Sequence, residues 1–268
     1  MSRRLTLSAF LLFCAALCAI EVNCGGSSSQ TVAVGCTGGP YNVIGNWTLD
    51  VSGSGGASTS GPGVIDSSGL AVFFQTTTTP PAAGDTVAMP KITGTCSFSG
   101  SATAYGTPIS GGGSATDSVT GSVKSATSIT GTISNGNSFT LTPATPLSGP
   151  VTVPSGLNYY GQVQGAASLE EFDVGFGGTT TSMSITANNN TGCVGSGTFS
   201  RAGADNVFDV SITFSGTTCP PVGITGVGFE SSVDYFGFSG NPQLTGTYLY
   251  AVASSSATVL EFYPSPTP

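Results

Sequence analysis

The side chains best placed for chemistry lie in Glu170-Glu171-Phe172-Asp173. On an extended strand alternate residues share a face, so Glu171 and Asp173 stand roughly 7 Å apart. Two carboxylates at that separation have the reach for glycoside hydrolysis, one as acid and the other as base or nucleophile. They are equally oxygen donors for calcium, with the amides of Asn188, Asn189 and Asn190 as companions. The plainer expectation is a solvated strand face that carries charge for a charge-poor chain, and it is favoured. Asp205-Asn206-x-x-Asp209 is a second acidic loop, without the full acidic-and-glycine spacing of a calcium loop.

Other chemistries find less. The chain contains no histidine, so no serine has an imidazole base. Neither Lys91 nor Lys124 follows a serine by three positions; Ser122-Val123-Lys124 has the wrong spacing. A zinc site lacks both histidine and a Cys-x-x-Cys pair. No catalytic residue, metal or cofactor is therefore assigned, and a non-enzymatic protein is expected. Charged residues make up 7% of the chain, against about 25% in an average domain. Acidic residues outnumber basic ones, 13 to 5. Nucleic acid is a poor partner, because affinity there comes from Lys and Arg neutralising phosphates.

Ahead of this lies a leader. Arg3 and Arg4 are followed by an apolar run from Leu5 to Ile20, 16 residues broken only by Thr6 and Ser8. That is short of the ~20 needed for a permanent transmembrane helix and has the layout of a secretory signal peptide, residues 1–23. Cys14 and Cys18 would leave with it. Four cysteines, Cys36, Cys96, Cys193 and Cys219, remain once Cys24 is set aside. In an exported protein they form two disulfides with three possible connectivities. The sequential pairing, Cys36–Cys96 and Cys193–Cys219, is favoured. On a chain-entropy argument its loops stabilise by roughly 4.3 and 3.5 kcal/mol at most, in that order.

Cys24-Gly25-Gly26-Ser27-Ser28-Ser29 resembles the start of a mature bacterial lipoprotein, an acylated cysteine leading a flexible tether. It is similar in particular to the Gly/Ser/Thr-rich surface lipoproteins of the acidobacterial type. The resemblance covers about the first thirty residues, plus composition beyond them. It implies a lipid attached at Cys24, a tether over 24–35, and a membrane partner reached through the anchor. The implied location is the cell envelope, at the outer membrane or surface. The family's leader has Leu three before the cysteine and a small residue just before it; here Glu21 and Asn23 hold those places. The alternative is ordinary signal cleavage and a secreted protein.

The elements that must position these residues are strands. Forty glycines and sixteen prolines are balanced by 15 Phe and 8 Tyr, too many aromatics for a disordered chain. Trp47, Leu49 and Val51 alternate with polar neighbours, as do Phe172-x-Val174-x-Phe176, Met183-x-Ile185-x-Ala187 and Phe208-x-Val210-x-Ile212-x-Phe214, the period of two of a half-buried strand. Further strands are expected at 71–75, 86–93, 95–104, 118–124, 127–134, 137–142, 149–154, 159–163, 233–238, 244–252 and 258–263. Asn135-Gly136 marks a hairpin, and 52–63 reads as a Gly/Ser loop. No apolar run has helical spacing. The fold class is all-β, an antiparallel multi-stranded sandwich or meandering barrel with essentially no helix after the signal peptide.

The β-domain spans 36–264, with a tail at 265–268. Thr93–Gly100 loosely resembles Thr191–Ser200, so two similar halves, 36–154 and 155–264, are an option. Gly45-Asn46-Trp47 resembles the Gly-x-Trp that opens lipocalins, carriers of small apolar ligands, in which a late arginine packs on the tryptophan. The last arginine here is Arg201, and Trp47 as a core anchor is the stronger expectation. The function expected is a lipid-anchored cell-envelope protein with a structural, adhesive or binding role. The alternatives are a lipocalin-like carrier, or a carbohydrate-binding or carbohydrate-active protein that uses Glu171 and Asp173.

Overall fold

The computed structural model describes residues 39–53, 58–74, 85–106, 113–144, 159–164, 170–179, 181–189, 191–203, 206–217, 219, 223–231 and 248–264. The leader, the tether with Cys24, Cys36, the strands expected at 149–154 and 233–238, and the tail lie outside them. The described residues fall within one compact unit, Gly35–Pro268. None is helical, and the chain is all-β. The choice between sandwich and barrel resolves as two closed antiparallel rings.

The first ring runs β1 (Gly45–Ser52), β2 (Ser58–Ile65), β3 (Ala71–Phe74), β4 (Thr86–Met89), β5 (Ser97–Tyr105), β6 (Ser114–Ser125), β7 (Ser128–Ile133) and β8 (Ser138–Pro143). It closes where β8 pairs with β1, Leu141 opposite Leu49. The second runs β9 (Tyr159–Gln164), β10 (Glu170–Thr179), β11 (Ser182–Asn188), β12 (Val194–Arg201), β13 (Val207–Ser215), β14 (Ile224–Ser231), β15 (Tyr248–Ala253) and β16 (Val259–Pro264). Strands β10 to β16 curl round, and β9 completes the ring by pairing with both β10 and β16. Closure removes the open edges that would otherwise invite pairing with other chains. Consecutive strands pair throughout each ring, which suits short turns. At Asn135-Gly136, Gly136 takes φ 89° and Asn135 Oδ1 accepts from the Asn137 amide at 3.0 Å, making the hairpin its residue types predict.

Each ring encloses its own apolar core. In the first, Trp47, Leu49, Ile65, Phe73, Ile129 and Leu141 are buried together. The second is more aromatic: the Phe199 ring lies edge-on to Phe208 at 6.0 Å and to Phe262 at 5.6 Å. Strand β11 shows the expected arrangement, exposed and buried side chains alternating along its length.

Strands β3 and β15 break that rule, being buried at every position. Their outward faces meet, and a third core forms between the rings. Val64, Val72 and Phe74 from the first barrel pack with Val207, Val227, Phe229, Tyr248, Tyr250, Val252 and Val259 from the second. The Phe74 ring centroid is 6.1 Å from Phe229 and 5.6 Å from Tyr250. Polar bonds border this seam: Asn46 Nδ2 donates to the Glu230 carbonyl at 3.1 Å, and Thr86 Oγ1 to the Ser256 carbonyl.

The loop expected over 52–63 is corrected: Ser58–Ile65 is a strand despite its Ser-Gly-Pro-Gly sequence. Gly63 lies in register between Trp47 and Phe73, both buried. A Cβ on Gly63 would stand 2.4 Å from Phe73 Cδ1 and 2.2 Å from the Val72 carbonyl oxygen. The glycine there makes room for large neighbours inside a strand. Strands β12 and β14, also rich in glycine, were not expected, for the same reason. A Cβ on Gly228 would meet the Phe199 ring at 2.8 Å.

Cys193 and Cys219 are disulfide-bonded. The bridge ties the turn before β12 to the segment after β13 at one end of the second barrel. Cys96, just before β5, is disulfide-bonded too; Cys36, its expected partner, is outside the described residues. Cys96 precedes the fifth strand of its ring and Cys193 the fourth strand of its own, so the two similar cysteine motifs open different strands.

Gly63→Ala should cost about 2 kcal/mol through overpacking against backbone that cannot retreat, read as a lower urea midpoint. Phe74→Ala should cost about 3 kcal/mol by opening a cavity in the seam. Its denaturation curve should also broaden or split as the barrels unfold less as one body.

Candidate functional site

The buried carboxyl groups of the described residues, Asp66, Glu230 and Glu261, gather at the seam and at the adjoining end of the second barrel. Asp66 closes β2 and builds the turn into β3. Its Oδ1 accepts from the Ser68 amide, the Leu70 amide and the Ser68 hydroxyl, each at 2.8 Å. An aspartate suits this place because its short carboxylate mimics a backbone turn. The side chain is only 4% exposed.

Across the seam stands Asp209 of β13. Its neighbours in register, Ser200 and Val227, belong to the flanking strands, and Val227 is a seam residue. Alternation therefore puts Asp209 on the outer face, where it is exposed. Burial raises its carboxyl above the usual range, and the charge of Asp66 adds to the rise.

Glu230 lies one position beyond Phe229 on β14, opposite Leu249 of the interior core, and so faces into the second barrel. It is 8% exposed. Burial pushes its carboxyl up to about 7, against the pull of Arg201. Arg201, at the end of β12, is held over the Phe208 ring at 5.6 Å, a cation–π contact that accommodates the guanidinium at an apolar barrel end. Since the Glu230 carbonyl accepts from Asn46, this carboxyl sits on the strand that bonds directly to the first barrel. Deeper in the seam Glu261 is fully buried and accepts a hydrogen bond from the Tyr250 hydroxyl, directly opposite on β15.

Among the described residues no three His, Cys, Asp or Glu side chains gather as a metal centre.

Asp173, expected in an acidic pair, is exposed on β10 and lies in register with Asn188. The side chain of Glu171 lies outside the described residues. Asn189 is corrected as a cation companion. It is buried, and its Oδ1 accepts from the Thr191 and Cys193 amides at 3.2 and 2.7 Å, holding the turn into β12. Asn190 and Asp205 are not described. Trp47 is buried inside the first barrel, and its indole donates to the Val43 carbonyl at 2.7 Å. It is a core anchor, and Arg201 lies in the other barrel. Asp66 and Glu230 were missed as candidates. The available signal was the lack of alternation in Ala71–Phe74 and Tyr248–Ala253, which marks strands covered on both faces.

No protein family, curated protein or solved structure matches the chain.

A carboxyl raised in the fold stabilises most when protonated in both states, and that contribution is lost as pH rises through its folded value. For Glu230 the window runs from 4.5 to about 7. The melting temperature should fall between pH 5 and 8, and Glu230→Gln should make that fall shallower, measured by calorimetry at matched ionic strength.

Proposed function

We propose that the protein is a non-enzymatic module of the cell envelope, anchored through a lipid on Cys24, that presents a stiff two-barrel body beyond the membrane. The observation that carries this reading is the seam. Two barrels that each close on themselves also spend their adjoining outer faces on one another, which sets a fixed spacing and orientation rather than a movable cleft. Polar, nearly uncharged outer strands suit the same role. Hydroxyl pairs such as Thr103–Thr116 at 3.0 Å and Thr120–Thr132 at 3.1 Å span neighbouring strands there. Cross-strand Thr pairs stabilise a sheet without charge. The Cys193–Cys219 bridge and the disulfide at Cys96 support an oxidising compartment.

The role follows as structural, adhesive or binding, with the leader 1–23 removed and residues 24–35 as tether. The test is the intact mass of the mature protein recovered from membranes, before and after reduction. A chain beginning at Cys24 with acyl chains attached, heavier by about 4 Da after reduction of two disulfides, is expected. An unacylated chain found in the medium would overturn the anchor and leave a diffusible protein.

A further inference from the structure

The barrels lie side by side with their ends in line. Asn46, near the start of β1, bonds to Glu230 near the end of β14. Thr86, at the start of β4, bonds to Ser256 in the turn between β15 and β16. Neighbouring strands run antiparallel, so these two contacts fix which turns share an end. One end gathers the turns β2–β3, β4–β5 and β6–β7 with Gly203 after β12; a Cβ on Gly203 would stand 2.9 Å from the Ser67 Cβ. The other end holds the β7–β8 hairpin and the Cys193–Cys219 bridge.

The chain joins the body at the first end. A Cβ on Gly39 would be 3.8 Å from Cys96 Sγ, ahead of β5, and the Tyr41 amide donates to the Gly94 carbonyl at 2.9 Å. Positive charge collects at the same end. Of the five lysines and arginines, Arg3 and Arg4 belong to the leader. The other three are Lys91 after β4, Lys124 near the end of β6 and Arg201 closing β12, all at this end. Lys91 and Lys124 are exposed. Asp50, Asp85, Asp117 and Asp173 stand in the opposite half, while Asp209 is exposed nearer the first end.

We propose that the end bearing Gly39, Lys91 and Lys124 faces an anionic lipid surface, and that the end with the Asn135-Gly136 hairpin and the Cys193–Cys219 turns is presented outward. The inference rests on the anchored reading and gives the displayed body a direction. Cys24 lies 15 residues before Gly39, so the end holding Gly39 is the one a lipid on Cys24 draws to the membrane. Two lysines attract anionic headgroups only weakly and at short range. They orient a body that the lipid already holds.

The experiment places one dye on the mature acylated chain, its native disulfides left oxidised, through Ala126→Cys in the turn before β7 or Ser138→Cys at the start of β8. Both residues are exposed, and on tilted strands they differ in height by roughly 15 Å. Energy transfer is read to an acceptor on the headgroups of phosphatidylcholine vesicles, with and without phosphatidylglycerol. Transfer should be severalfold stronger from position 126 than from 138, and phosphatidylglycerol should widen the difference. Lys91→Gln combined with Lys124→Gln should remove that widening while the protein stays on the vesicles. Equal or reversed transfer would overturn the orientation. A difference indifferent to phosphatidylglycerol would overturn the part given to the lysines. Acylated protein that does not float with the vesicles would overturn the anchor and the orientation with it, so the two failures are told apart.

Discussion

An eight-stranded barrel has one inside and one outside, and strands that follow the rule are apolar on alternate residues. This chain departs from it where the two barrels meet. Val72 and Phe74 point away from their own core, as do Phe229, Tyr250 and Val252. Left in water, these side chains would make the kind of contiguous apolar patch that soluble proteins avoid. Each buried one is worth roughly 1.5–3 kcal/mol relative to exposure. The pairing of the barrels is therefore a condition of their stability, and the relative placement of everything carried on them depends on it.

The same burial explains the behaviour of the acids. A carboxylate withdrawn from water must find a hydrogen-bond donor or keep its proton. Asp66 finds backbone amides, Glu261 finds the Tyr250 hydroxyl, and Glu230 has Arg201 without being fully compensated. A protein without histidine has no side chain that ordinarily titrates near neutrality. Here the Glu230 carboxyl, raised to about 7 by burial inside the second barrel, falls in that range because of where its strand packs.

How much of this was legible in the sequence follows from period and volume. Strands such as Met183-x-Ile185-x-Ala187 declare themselves because one face is wet. The all-β class and the Asn135-Gly136 hairpin followed from such local signals, and the Cys193–Cys219 pairing from nearness along the chain. Ser58–Ile65, Val194–Arg201 and Ile224–Ser231 did not, because glycine lowers strand propensity locally while serving the packing of distant rings such as Phe73 and Phe199. The buried carboxyls were hidden for a related reason: nothing local to Asp66 says that another barrel will cover it, and nothing local to Glu230 says that it will face the interior of its own. The acidic run at 170–173 drew attention because its spacing is visible in one dimension. Yet Asp173 lies open on an outer face, and Asn189, offered as its companion, is committed to a turn.

The division of labour between the covalent and non-covalent parts bears on what pH can change. Closure of each ring, with β8 on β1 and β9 between β10 and β16, is independent of protonation. So is the Cys193–Cys219 bridge, which secures the turns before β12 and after β13. Its loop of 26 residues gives about 3.5 kcal/mol on a chain-entropy argument. The apolar centre of the seam around Phe74 is likewise insensitive to protons. Charge enters at the end of β14, where burial raises the Glu230 carboxyl to about 7 against the pull of Arg201. That side chain faces the interior of the second barrel, opposite Leu249. Its ionisation should accordingly act on the stability of that ring, while the apolar packing of the seam stays the same.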